Sequence, residues 1–157
     1  MTSIPFDLAR IRPDEGTPCT IYFSPENLLR APTKVEIAER GEPTEEQLAS
    51  GVEPLGKLIW WLRAELGRDS KRLSDLALVR RSGGKGRKKG EMSIRAGTIA
   101  HERIILSTVR VDGLETGGQP VARVTAEVLD RLPDWLLNQV LLQINEMSGA
   151  DEDEEGN

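Results

Sequence analysis

The chain contains one histidine, His101, and one cysteine, Cys19. These two residues limit what chemistry its side chains can carry. A lone cysteine cannot form an internal disulfide and removes any Cys-rich zinc site. A lone histidine removes multi-histidine metal centres. His101 precedes Glu102 and Arg103, the one place where an imidazole sits beside a carboxylate. Neighbours on a strand face opposite sides, so this adjacency does not make a dyad. No G-x-S-x-G elbow accompanies it. His101 therefore reads as an exposed or hydrogen-bonded structural residue. Cys19 opens an apolar run and reads as a small buried hydrophobe rather than a nucleophile. The carboxylate pairs Glu45/Glu46 and Asp130/Asp134 sit in helical, acidic contexts that face water, and nothing around them supplies a reason for a raised pKa. The expectation is a non-enzymatic protein with no cofactor and no metal.

Charge is distributed unevenly. The formal net value is −5, and five acids lie together in Asp151–Glu155. Without that run the body is neutral. Arg80, Arg81, Lys85, Arg87, Lys88 and Lys89 form the opposite block. Gly83–Gly90 reads as a loop, because four glycines in eight residues oppose both helix and strand. It is not a P-loop, since no lysine in it is followed by Ser or Thr. The block can be a solvated loop, a contact for a nucleic-acid backbone, or a contact for an acidic protein. It contains no aromatic on which a base could stack. The acidic run can be a solvated tail, can fold back to screen the basic loop, or can meet a partner of its own.

A third signal is apolar. Leu132, Trp135, Leu136, Leu137, Val140, Leu141, Leu142 and Ile144 crowd 13 positions of one expected helix. Leu136, Val140 and Ile144 make one row at spacing four, and Leu137 and Leu141 make the next. Such a helix is buried on several sides or shows one side to a partner or to a second copy. Trp135, Leu136, Val140 and Ile144 are the candidate partner-binding set.

The elements that must carry these residues form an α+β pattern. Residues 1–18, with three prolines and Gly16, read as an extended arm. Thr20–Phe23 is β-favouring. Ser24-Pro25-Glu26 resembles a helix start, stopped by Pro32. Lys34–Ile37 alternates as a short strand does. Thr44–Gln47 fits a capping box. Pro54 can open a helix carrying Leu55, Leu58, Ile59, Leu62 and Leu66 on one face, with Gly67 as its cap. Trp60 and Trp61 cannot both point inward from that helix. Ser70–Arg81 is a further helix. Ile104–Val111 is the strongest strand in the sequence, with turn signals at Asp112-Gly113 and Gly117-Gly118 and a hairpin partner at Val121–Val124. Thr125 caps a short helix, and Pro133 starts the last one, closed by Gly149.

The 157 residues suit a single domain. It is expected over 19–149, with a basic loop at 82–91 and an acidic tail at 150–157. No uncharged apolar run approaches the roughly 18 residues of a membrane span, and the first residues lack the features of a secretory signal. A cytoplasmic location follows as an expectation.

The order of segments in the C-terminal third forms a further pattern. Ile104–Val111 leads to a Gly-containing turn and to Gln119-Pro120-Val121. Thr125-x-Glu127-x-Leu129-x-x-Leu132-Pro133 and an apolar helix follow. This resembles the C-terminal part of tail-assembly chaperones of long-tailed phages, over about 45 residues. It lacks the aromatic expected before the turn, and the Gly83–Gly90 loop is not part of the pattern. The resemblance implies a phage morphogenesis protein that binds tape-measure and tail-tube proteins in the host cytoplasm. A nucleic-acid accessory protein using residues 80–89, or a minor structural protein of the virion, are the alternatives.

Overall fold

A computed structural model describes residues 4–12, 14–81 and 89–149, and over 77–81 and 89–96 it describes the backbone alone. It has an α+β architecture, as the sequence predicts. After the arm, in which Leu8–Arg10 makes a single 3₁₀ turn, come strand β1 (Thr17–Phe23) and helices α1 (Lys34–Arg40) and α2 (Glu45–Ala49). Strand β2 (Gly56–Leu62) is followed by helices α3 (Gly67–Arg81) and α4 (Lys89–Ser107), then strand β3 (Thr108–Asp112). A two-residue hairpin, β4 (Glu115–Thr116) and β5 (Gln119–Pro120), precedes helices α5 (Ala126–Asp130) and α6 (Asp134–Met147). The main sheet has the order β1-β2-β3 and is antiparallel throughout. Among the described residues, no helix is long and apolar enough to cross a membrane.

The largest departure from the sequence reading lies at residues 54–67, where a strand replaces the expected helix. Leu58, Trp60 and Leu62 recur at period two, while Leu58, Ile59 and Leu62 fit a helical stripe, so both periodicities are present. Pairing decides between them, because β1 and β3 bond to the two edges of β2. The question of the adjacent tryptophans is thereby answered. Trp60 is fully buried, and Trp61 points to the opposite face of the sheet. Gly67 opens α3 rather than capping a preceding helix.

Three other expectations change. Lys34–Ile37 is helical, because Thr33 and Glu36 form a reciprocal capping box. Ser24–Asn27 is a turn closed by the Asn27 amide on the Ser24 carbonyl, at 3.1 Å, and no helix follows. Ile104–Ser107 belongs to α4, and the strand begins only at Thr108. There Ile104 packs against the core, and its carbonyl accepts from the Thr108 hydroxyl at 2.6 Å. Val121–Val124 is not a strand, and β3 pairs with β2 instead. The expected Gly117-Gly118 turn is present, with both glycines at positive φ, and it closes β4 onto β5. The capping box at Thr44, the helix over 70–81 and the cap at Thr125 are found as expected. Pro133 stands at the N-cap of α6, and Gly149 past its end has φ +69°.

The core lies on one face of the sheet. Ile21, Leu58, Trp60 and Leu62 meet Ile104 of α4, Leu129 of α5, and Leu136, Leu137, Val140 and Ile144 of α6. Each such side chain contributes about 1.5–3 kcal/mol when fully buried. The Trp60 indole N–H donates to the Thr108 hydroxyl at 2.8 Å, so this large ring enters the core with its polar atom satisfied. On the other face, Trp61 lies under the Arg110 guanidinium at 4.3 Å and donates to Asp112 at 2.9 Å. Tyr22 and Lys57 both bond Glu42, which ties the segment after α1 to one end of that face.

Candidate functional site

The candidate residues of the sequence fall in separate places. His101 lies on α4, a helix, and its Nδ1 stands 3.4 Å from Asp130 of α5. Glu102 and Arg103 leave the helix in other directions, to Arg72 on α3 at 2.7 Å and to Glu65 and Asn145 respectively. A 300 Å³ hollow beside His101 is lined by Gly97, Ala100, Ile104, Asp134, Leu137, Asn138 and Leu141. None of these supplies a hydroxyl, thiol or amine nucleophile. The imidazole–carboxylate contact thus works as a tie between α4 and α5. Cys19 is half-buried on the core side of β1, and burial together with Glu146 pushes its thiol up. That disfavours the thiolate and with it nucleophilic reactivity. Among the described residues, no group of three or more His, Cys, Asp and Glu side chains could hold a metal ion.

The C-terminal helix is placed differently from its candidate role. Leu136, Val140 and Ile144 are buried in the core and offer a partner no surface. The reason is geometric: α6 lies across the sheet, so the row at spacing four is the row that meets β1 and α4. Trp135 is half-buried, and its indole N–H donates to the Leu28 carbonyl at 2.9 Å, which pins the turn after β1. The exposed apolar residue of this helix is Leu142, which lies off both rows.

The basic candidates are only partly described. Arg80 and Arg81 end α3 and Lys89 begins α4, on backbone grounds alone. Lys85, Arg87 and Lys88 lie outside the described residues, as does the acidic run Asp151–Glu155.

Two features carry surface chemistry that the sequence reading did not single out. The first is apolar. In the arm, Ile4, Phe6 and Leu8 are 89%, 85% and 75% exposed, and Ile11 is also exposed. Leu28 and Leu29 extend into solvent from the turn after β1. The signal was present in the sequence as alternation of apolar and other residues from Ile4 to Leu8, ahead of the first strand. The second feature is an open groove of about 940 Å³ beside α3, lined by Arg63, Arg68, Lys71 and Arg72, with Asp69, Asp75, Leu76 and Leu106. Within it, Arg63 grips Asp69 through two parallel bonds of 2.8 and 3.1 Å, and the Leu66 amide adds a third at 2.9 Å. Arg63 and that amide hold the Asp69 carboxyl below its ordinary value. Such planar, two-pronged pairing is what the guanidinium fork provides. Arg72 is committed to Glu102.

The surface thus carries an exposed apolar arm and an open basic groove. Comparison of the chain with protein-family models, with curated proteins and with solved structures finds no match.

Proposed function

We propose that the chain acts by holding another protein, as a non-enzymatic phage morphogenesis protein of the tail-assembly chaperone kind. One observation carries the binding part of this reading: the apolar arm, whose Ile4, Phe6 and Leu8 lie almost wholly in water. Large apolar side chains grouped on the surface mark interaction sites. The arm replaces the C-terminal helix as the contact surface, since the row of that helix is committed to the core. Apolar residues at alternate positions leading into a single 3₁₀ turn suit insertion in an apolar groove of the partner. The partners in view are tape-measure and tail-tube proteins. This finer assignment rests on the resemblance of the C-terminal third alone.

The experiment is co-purification after nuclease treatment, from cells expressing the chain together with a tape-measure and a tail-tube protein of a long-tailed phage. Retention of either protein by the wild type, and its loss in the triple variant Ile4→Asp, Phe6→Asp, Leu8→Asp, is the expected result. Binding unchanged in the triple variant overturns the role of the arm. Absence of both proteins, with nucleic acid retained before nuclease treatment, overturns the chaperone reading in favour of the basic residues.

A further inference from the structure

The two edges of the main sheet are finished differently. On β3, Arg110 and Asp112 put charge on the strand, and its pairing with β2 shifts register between Trp61 and Leu62. Val121–Val124 runs near it, lining a narrow hollow of about 190 Å³ together with Thr108–Val111. Charge, irregular pairing and a covering segment are devices that keep an edge from recruiting another strand. The β1 edge lacks them. Its seven residues, Thr17–Phe23, pair with β2 from end to end without a register shift, and none of them is charged. Among the described residues, no group hydrogen-bonds to its other backbone edge. Pro18 is the one obstacle in the strand, and it withholds a single amide donor. Thr17, Pro18 and Thr20 are exposed, so the edge is open to approach.

The occupant this edge fits is the same strand of a second copy. Outward N–H and C=O groups alternate along a strand, so an uncharged edge meets its own antiparallel copy donor to acceptor. The flanks of β1 point the same way. Ile11, exposed, lines a hollow with Gly16 and Thr17 at the start of the strand, and Leu28 and Leu29 stand exposed in the segment that follows its end. Antiparallel pairing brings the approach to β1 in one copy alongside the exit from β1 in the other, so each apolar flank meets the opposite flank. We propose that β1 pairs antiparallel with β1 of a second copy about a twofold axis, joining the two three-stranded sheets into one. Full overlap of the strand sets its middle residue, Thr20, opposite its own counterpart, Cys19 opposite Ile21 and Pro18 opposite Tyr22. Such an interface uses the same surface on both chains and closes, because it leaves no β1 edge free and the remaining edges are the guarded ones. Ile4, Phe6 and Leu8 are not needed for it, so it stands or falls separately from the capture reading.

The test is sedimentation velocity of the full chain alone, from low micromolar to millimolar concentration. A monomer should pass into a dimer as concentration rises, with no larger species. Thr20→Lys and Thr20→Glu each set like charges across the axis, where opposed side chains stand about 5 Å apart. Thr20 is exposed, so neither change touches the core, and tryptophan emission checks that both variants are folded. Each variant alone should remain monomeric, and an equimolar mixture of the two should recover the dimer. Independently, Thr20→Cys in a Cys19→Ala background should form an intermolecular disulfide under mild oxidation, since directly opposed strand residues lie within disulfide reach. It should do so far faster than Glu127→Cys, an exposed position on α5. A chain that stays monomeric at millimolar concentration overturns the proposal, as does a mixture of the two charge variants that stays monomeric. Cross-linking of Thr20→Cys no faster than that of Glu127→Cys does the same. A dimer that survives both charge variants but is lost in Ile4→Asp/Phe6→Asp/Leu8→Asp places the contact on the arm and also overturns it. Capture of another protein is read in the separate co-purification, so failure of one reading is distinguishable from failure of the other.

Discussion

Leu136→Ala and Phe6→Asp, made separately, distinguish the role of the C-terminal helix from that of the arm. Leu136 is 4% exposed and packs in the main core, whereas Phe6 is 85% exposed. Truncating a buried leucine removes its transfer free energy and leaves a cavity that the neighbours fill only in part. The loss is about 2–5 kcal/mol. Against a total stability of about 5–15 kcal/mol, that is a large fraction. In a chain of this size each kcal/mol moves Tm by about 2–4 °C, so Leu136→Ala should lower Tm by about 4–20 °C. Phe6→Asp touches no packed neighbour and should stay within about 0.5 kcal/mol of the wild type. Thermal and urea unfolding followed by tryptophan emission measure both, with partner capture scored in parallel at a temperature where each variant is folded. The expected pattern is loss of stability with capture retained for Leu136→Ala, and the reverse for Phe6→Asp. A Leu136→Ala chain as stable as the wild type but unable to capture a partner would refute the reasoning, because it would put that side chain at an interface.

Three further outcomes follow from the same structure. Asp69 titrates below its ordinary value because Arg63 and the Leu66 amide stabilise its charged form. Its contribution is complete above the unfolded-state value, about pH 4, and is lost as pH falls through the lower folded-state value. Urea midpoints of the wild type should therefore drop below about pH 4. Asp69→Asn should flatten that drop and cost about 3–5 kcal/mol at neutral pH, because it strands a largely buried guanidinium. Acrylamide quenching should find one protected tryptophan among three, and Trp60→Phe should abolish the protected fraction, since Trp60 is the fully buried one. Gly113→Ala should destabilise by about 1–3 kcal/mol in urea unfolding, because φ is +95° there and the new methyl would stand 2.9 Å from the Lys57 carbonyl.

The parts of the fold that were legible in the sequence are those set by local chemistry. The capping box at Thr44, the cap at Thr125, Pro133 before α6 and the Gly117-Gly118 turn each act over three or four residues, and each is where the sequence puts it. Thr33-x-x-Glu36 is the same kind of signal, and it prevails over a short alternation that has no strand neighbour to pair with. What local chemistry could not decide was β2. Its residues satisfy both helical and strand periodicity, and the choice comes from β1 and β3, which approach from distant parts of the chain. The end of α4 is similar: Ile104 is β-favouring by type but is held in the helix by packing on the core. For the candidate surfaces, the apolar excess of the last helix is visible in its sequence. Its destination depended on where the sheet lies, which no spacing reveals. The groove beside α3 was hidden because Arg63 and Arg68–Arg72 are separated by a turn and converge only in three dimensions.

The excursion between β2 and β3 has a consequence for how the domain can vary. Leu62 pairs with Thr108, and the Arg63 amide donates to the Ser107 carbonyl at 2.8 Å. The chain thus leaves the sheet and returns to it at adjacent points, with α3 and α4 strung between. Near that base the pair is riveted by Ile104 in the core, by Arg103 on Glu65 and by Arg63 on Asp69. Farther out, none of the sheet hydrogen bonds depends on how long the two helices are. Adding one turn to each would carry the far end about 5.4 Å outward. The entropic cost would be small, since even doubling a loop costs only about 0.6 kcal/mol. The reach of this helical arm is therefore an independently adjustable dimension, one that can be lengthened or trimmed while the three-stranded platform beneath it stays the same.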